Sequence, residues 1–549
     1  MQFVLAIVII LSLNIIGSLY FFRIDMTAEK RYSLTNSTKE LLRELDDIVY
    51  FKIYLEGNFP AGFKRLRNQT REMLQEFRAY SDNIHYDFEN PLSASNDKQR
   101  DAKIEMLINK GLKPTQLQVK ADDASSQQLI FPGALASYKG KEVPVQLLFD
   151  QIGIEHENIL NNSVQALEYN LATAIRKLVA EKKSNIGFLS NIGEPNPKFF
   201  ADIMISLSDF YNVKNIKIDS SYAPLSTLET LVITKPRKEF DDKKKFLIDQ
   251  YIMNGGSCLW LIDPVFADMD SLKTTPETIG MAWPVNIDDM LFRYGVRLNN
   301  NLLKDLNAVP IPVTTGMIGN RPQISLVSWY FFPMITPHSK HPIVRNLNAI
   351  KTEFVSSLDT VDVPNVDKTI LLETSRHTQI MNTPARISLD ILHNPPNEQL
   401  FRDGPQPVAV LLEGEFESIF KNRIKPEVIM PEDFQVKNKS KKNKMIVVSD
   451  GDIILNQFDS QGQPYPLGYD KYLNENFGNK DFILNAINYL ANDPSIMEAR
   501  NKEVRLRLLD KQKIKNNTLK IQIANVLFPV IIVIVFGLIR AFIRKRKYK

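Results

Sequence analysis

Few residues in this 549-residue chain have the type and spacing to do chemistry. Cys258 is the single cysteine, which excludes an intramolecular disulfide, a cysteine-based zinc cluster and a CxxC redox pair. It follows Gly256-Ser257 at the start of a strongly apolar run. A nucleophilic thiol needs an exposed, electropositive turn and a partner base, so a buried, inert thiol is expected here. Of the six histidines, only His338 and His341 lie close together, in Thr336-Pro-His-Ser-Lys-His-Pro342. The flanking prolines argue against a helix presenting both imidazoles, no HExxH accompanies them, and a polar turn is the expectation. No Walker A loop occurs, so ATP hydrolysis is not written in the chain, and no GxSxG elbow is present.

Two turns remain as candidate ligand contacts. Asn191-Ile192-Gly193-Glu194 follows a strand of an alternating β/α segment, and ligands of such sheets gather at the carboxyl ends of the strands. One glycine makes no dinucleotide fingerprint, so Gly193 and Glu194 read as a turn first. Asp450-Gly451-Asp452 could hold a cation through Asp450 and Asp452, but the rest of an EF-hand loop is missing. Asp and Gly are also what a strand-to-helix turn favours. No cofactor and no metal is expected.

The elements around these turns follow from periodicity. Ile48–Leu55 is β-branched and aromatic and reads as a strand. Phe63, Leu66, Thr70, Met73, Leu74 and Phe77 recur at helical spacing. Ile84–Phe88 is a short strand, and Asp97–Lys110 a helix closed by Gly111. Strands at Gln116–Lys120, Leu129–Tyr138 and Glu142–Leu148 complete a β-α-β-α-β-β order, which suggests a thioredoxin-like domain over 24–152 without thioredoxin's cysteines. Ile159–Ala180 reads as one long helix, its stripe Leu160, Val164, Leu167, Leu171, Ile175 and Leu178 connecting two domains over 153–183. Residues 184–494 alternate strands and helices, which predicts a parallel, doubly wound sheet. From about 310 to 423 prolines become frequent and helical periodicity disappears, so a mostly β insertion is expected there. The lysine run Lys437–Lys444 reads as a solvated loop.

The ends carry the strongest pattern. Phe3–Phe22 and Ile521–Ile539 each hold fourteen Leu, Ile, Val or Phe and no charge. Such residues supply roughly −4 to −8 kcal/mol of insertion energy per segment before polar terms, and both lengths suit the bilayer core. The first segment lacks a basic n-region and a small-residue cleavage site, so it reads as a retained anchor rather than a signal peptide. Transmembrane helices over 1–22 and 521–539, a basic stalk over 495–520 and a basic tail over 540–549 are expected. Both termini then share one side, and Ser12, Asn14, Ser18, Asn525 and Gly537 are the small or polar residues able to pack on partner helices. Lysines and arginines flank both segments on both sides, so charge alone leaves the orientation open. Composition is that of an ordinary globular chain, with 44% hydrophobic and 24% charged residues, and a net charge of +5 gives no concentrated basic face for nucleic acid.

Several blocks in order resemble the gliding-motility ABC-transporter auxiliary family, the GldG proteins. They are Asp25–Leu34, Pro60–Asn68, Asp249–Gly256 with Leu261-Ile-Asp-Pro264, Val447–Ile453 and Arg507–Lys511, and the resemblance spans nearly the whole chain. It implies a non-catalytic, substrate-binding-like inner-membrane subunit with its body in the periplasm and both termini in the cytoplasm. It further implies partnership with a separate ABC permease and a separate ATPase, in gliding motility and protein secretion, and an α/β domain similar to one in intraflagellar transport proteins. Many members of that family carry Gly-His-Gly-Glu where this chain has Asn191-Ile192-Gly193-Glu194, so the resemblance implies no histidine-dependent function at that turn. A degenerate α/β hydrolase or amidotransferase, with Cys258 exposed, and a purely structural strut gripping a permease are the other readings left open.

Overall fold

The computed structural model describes residues 33–93, 96–121, 124–148, 156–179, 184–318, 321–345, 347–392, 396–491 and 511–547. The chain divides into two units, one of them the body Tyr32–Lys502.

The body opens with α1 (Asn36–Arg43), whose first turn is capped by the Thr35 hydroxyl accepting from Thr38 N. β1 (Val49–Ile53) buries Val49, Phe51 and Ile53 on alternate positions. α2 (Ala61–Tyr80) buries Phe63, Leu66, Thr70, Leu74 and Phe77, the stripe that its spacing requires. β2 (Ile84–Phe88) and α3 (Asp97–Asn109) follow. β3 (Thr115–Ala121) and β4 (Ala124–Ile130) form a separate hairpin, while β5 (Gly133–Tyr138) and β6 (Lys141–Gln146) complete a four-stranded sheet of order β2-β1-β5-β6. β1 and β2 are parallel; β5 and β6 run antiparallel to their neighbours.

Two sequence expectations change here. The single strand expected over Leu129–Tyr138 is two strands, because Pro132 between β4 and β5 has no N–H to give a ladder. The single long helix is two, α4 (His156–Gln165) and α5 (Leu167–Val179), broken at Ala166. Its stripe residues Leu160, Val164, Leu167, Leu171, Ile175 and Leu178 all enter the core of the N-terminal sheet.

The second domain is built on a seven-stranded sheet. β7 (Asn185–Ser190), β8 (Asn212–Lys217), β9 (Thr230–Thr234) and β10 (Ser257–Leu261) alternate with α6 (Ala201–Ser208) and α7 (Asp242–Met253). Short strands β11 (Val265–Phe266) and β12 (Glu277–Ala282), helix α8 (Asp288–Tyr294), and strands β13 (Val296–Leu298) and β14 (Asn301–Asp305) come next. Within 308–414 the chain runs β15 (Ala308–Ile318), β16 (Arg321–Ile335), β17 (Ile350–Lys351), β18 (Leu358–Thr360), β19 (Val366–Glu373), β20 (Thr378–Asn382), β21 (Ala385–Ser388) and β22 (Pro407–Gly414), with no α-helix among the described residues. β23 (Asn443–Val448) and α9 (Asn479–Leu490) close the domain.

The sheet order is β19-β22-β23-β10-β9-β7-β8. Leu259 and Leu261 of β10 face one core with α6 and α9, whereas Cys258 and Trp260 face the other with α7 and α8. Helices on both faces make the sheet doubly wound, as the alternation predicts. The sheet is not wholly parallel, however. β22 pairs antiparallel with β23, and β19 antiparallel with β22, so two strands of the β-rich segment extend the main sheet instead of standing apart from it. The remainder of that segment packs its own core around Trp329, Phe331, Phe332 and Phe354.

In the other unit the described helix is α10 (Lys511–Lys547). Its stretch Asn525–Arg546 contains an 18-residue window with a mean hydropathy of 2.8, none of which is buried. Twenty-two residues rise about 33 Å, the thickness of a hydrocarbon core. The segment expected over 521–539 therefore lies within a helix long and apolar enough to cross a membrane. The first expected span, 1–22, and most of the basic stalk fall outside the described residues.

Candidate functional site

Four parallel strands deliver the polar residues of the second domain to one end of its sheet. Asn191–Glu194 follows β7, Lys235 and Arg237 follow β9, Asp263 follows β10, and Asp450 and Asp452 follow β23. This is the carboxyl end, where ligands of doubly wound sheets collect.

Lys235 is the hub. Its Nζ lies 3.1 Å from Asp263 Oδ2 and bonds Asp452 Oδ1. Arg237 Nη2 reaches the same Asp263 oxygen at 3.0 Å, its guanidinium lying over the rings of Phe266 and Trp283. Asp263 Oδ1 accepts from Gly451 N. Asp450 is fully buried and accepts from three backbone amides: Asp452 N at 2.7 Å, Ile453 N at 3.2 Å and Glu353 N at 3.0 Å. Gly451 is required by approach, since a Cβ there would meet Lys235 Cβ at 2.8 Å and Asp263 Oδ1 at 3.0 Å.

The electrostatics follow from three carboxylates meeting two cations out of water. Burial raises the Asp450 carboxyl well above the usual carboxylate range, and Asp452 and Asp263 add to the rise. Burial also pushes Asp452 up to about 7, with Lys235 opposing and Asp263 and Glu353 reinforcing. Burial works against the Lys235 ammonium, but Asp263 and Asp452 outweigh it and hold the group above the ordinary lysine range.

Carboxylate oxygens of Asp263, Asp450 and Asp452 lie within 4.8 Å of one another, the spacing of a cation site. The donor set does not fit one. Lys235 already brings a positive charge to Asp263 and Asp452, and the Asp450 oxygens are taken by backbone N–H groups. The cluster is a clasp that ties the ends of β9, β10 and β23 together.

The Asn191–Glu194 turn joins the clasp from the side. Arg237 N and Lys238 N both donate to Ile192 O at 2.8 Å, and Gly193 has φ +75° with Arg237 Cβ only 3.0 Å from where its own Cβ would stand. A side chain at 193 would be strained twice over. Glu194 turns its carboxylate back onto Asn191 N at 3.2 Å and Ile192 N at 3.0 Å, so it caps its own turn. Gly193, Glu194, Asp450 and Asp452 thus sit in one region. Lys235, Arg237 and Asp263 are the members that spacing did not single out. Their position one to three residues after strands β9 and β10 is the mark that could have found them.

Elsewhere, Cys258 is wholly buried in β10 and burial raises its thiol far from the reactive range. His338 is exposed, whereas His341 packs its ring on Tyr489 at 5.0 Å and accepts from Ile343 N, so the pair forms no joint site. Of the residues named for packing on partner helices, Asn525 is exposed on α10 and Gly537 has open space around it. Ser12, Asn14 and Ser18 lie outside the described residues.

Fold and site define a mixed α/β body of several sheets in a chain that also carries an apolar, exposed C-terminal helix. The family described as "ABC-type uncharacterized transport system" matches residues 183–486, the doubly wound domain, and a domain of unknown function matches residues 28–137. The chain belongs to that ABC-type transport family, which supports an auxiliary, non-catalytic role in an ABC transport system and association with transporter components. An uncharacterized protein of Borreliella burgdorferi is 22% identical over 564 residues, covering 99% of this chain and 97% of its own length. A solved structure of the mmIFT52 N-terminal domain shares 11% identity with a TM-score of 0.32, over 56% of this chain and 98% of that one.

Proposed function

We propose that the chain is an inner-membrane auxiliary subunit of an ABC transporter of the gliding-motility type, binding or assembling rather than catalysing. The observation that carries this is the family match over 183–486, the domain whose strand-end carboxylates are held by its own lysine, arginine and backbone amides. A catalytic carboxylate must be free to meet a substrate proton, and each carboxylate here is held by the protein's own donors. The N-terminal domain is thioredoxin-like in fold: the order β2-β1-β5-β6, a parallel βαβ unit beside an antiparallel hairpin, supports that reading. The body is displayed in the periplasm between two spans, with both termini cytoplasmic, and a separate permease and ATPase supply the transport route and the energy. Ser12, Asn14, Ser18, Asn525 and Gly537 are the residues that would pack on the permease.

The topology gives a direct test. A reporter active only outside the cytoplasm should be active when inserted at Lys439 and silent when fused after Lys549. The reverse pattern would overturn the periplasmic assignment.

A further inference from the structure

One lysine of the second domain is buried with no carboxylate to meet it. Lys304, in β14, is 8% exposed, and its Nζ lies 5.8 Å from the ring centroids of both Phe331 and Phe401. Among the described residues no ion pair and no side-chain hydrogen bond involves that nitrogen. Asp305, next in sequence, belongs to the other face of the strand. There Ser375 Oγ donates to its Oδ1 at 2.6 Å and Thr378 Oγ1 to its Oδ2 at 2.8 Å. Burial lowers the Lys304 ammonium from its ordinary range, and no neighbouring charge offsets the effect. An ammonium taken out of water without a counter-ion is costly, and contact with two rings returns only part of the loss.

The residue opposite is short of a partner as well. β14 pairs antiparallel with β20, which sets Lys304 directly across from Gln379. Directly opposed side chains share a face, their Cβ atoms roughly 5 Å apart. Gln379 Oε1 is buried and has no hydrogen-bond partner among the described residues. A cationic donor and a carbonyl acceptor, both unmatched, therefore stand side by side, with two aromatic rings against the lysine. Gln379 is half-buried, as is Tyr330, whose ring packs on Phe401 at 5.8 Å, so this group lies at the margin of the core.

We infer that the group binds the C-terminal carboxylate of a peptide whose last residue is apolar. Lys304 meets the carboxylate, Gln379 Oε1 accepts the N–H of the last residue, and Phe331 and Phe401 give its side chain an apolar wall. One lysine matches one negative charge. A phosphate dianion would find a single cation, beside a carbonyl oxygen that repels it. The site goes beyond the transporter reading and does not depend on it.

The test titrates the full chain, in detergent, into Ala-Ala-Phe carrying a dye at its amino end, and follows fluorescence anisotropy. The same peptide with a C-terminal amide is the uncharged control. The acid should bind saturably and the amide at least about tenfold more weakly, the difference that a hydrogen bond to a charged group makes. Lys304→Met should abolish the preference for the acid while leaving the melting temperature unchanged or higher, because an apolar chain of similar length replaces an unpaired buried cation. Gln379→Leu should weaken the acid severalfold. Equal binding of acid and amide, or a preference for the acid that survives Lys304→Met, would overturn the inference. A lower melting temperature for Lys304→Met would overturn it too, since the rings would then hold the lysine as a structural cation.

Discussion

Lys235→Ala should destabilise the doubly wound domain by about 3–5 kcal/mol at neutral pH, because it strips the shared cation from buried carboxylates. The loss should shrink as pH falls toward the acid side, where protonation neutralises what the ammonium no longer can. The sign follows from proton binding. Asp452 has a folded value near 7 and an unfolded value near that of a free carboxylic acid, so between them the native state holds more protons. Stability therefore falls as pH rises through that window, by up to about 1.4 kcal/mol per pH unit for one group. Asp450, also raised, acts in the same direction. Lys235 works at the other end: its contribution is fully present below the ordinary lysine value and is lost as pH rises through its elevated folded value. Chemical denaturation followed by tryptophan fluorescence reports this domain, since Trp260, Trp283 and Trp329 all lie in it. A loss under about 1 kcal/mol, or one flat with pH, would show that the clasp contributes little.

Asp249→Ala should be comparably severe. This wholly buried carboxylate of α7 accepts from Tyr294 Oη at 2.9 Å, Ser418 Oγ at 2.6 Å, Ile419 N at 3.1 Å and Gln250 Nε2 at 3.1 Å. Burial raises its pKa and these donors work against the rise. Removing the acceptor leaves three donors outside α7 and its own neighbour Gln250 unmatched, at about 1–3 kcal/mol for each one that water fails to reach. About 3–5 kcal/mol in total is expected, with Asp249→Asn milder because it keeps one carbonyl acceptor. The same change unpins the segment after β22, so trypsin should cut faster at Lys421 and Arg423. Unchanged cleavage with unchanged stability would mean that packing of Phe416 and Phe420 alone holds the segment.

What could be read from the residues was whatever leaves a local mark. Ser257–Ile262 and Met445–Ser449 are apolar runs bounded by Asp-Pro and Asp-Gly, and both are buried strands ending in turns. The 3.6-residue stripe of α2 is matched by its burial. Pairing at long range leaves no such mark. Nothing near Val366 or Pro407 says that β19 and β22 join a sheet whose other strands lie far away in sequence. The bond from Lys235 to Asp452 likewise closes a loop of 217 residues. Ala166, where the long helix breaks, is neither proline nor glycine and gives no local sign. Asp450 and Asp452 were found by their turn, but their partners Lys235, Arg237 and Asp263 became visible only when the sheet brought four strand ends together.

The central claim is partnership with a transporter. Isolating the tagged full-length chain from native membranes in mild detergent, and identifying what accompanies it by mass spectrometry, tests that claim most directly. The account predicts an ABC permease and its ATPase in the isolate in constant proportion to the chain. Recovery of the chain with neither, from membranes in which both are present, would contradict it.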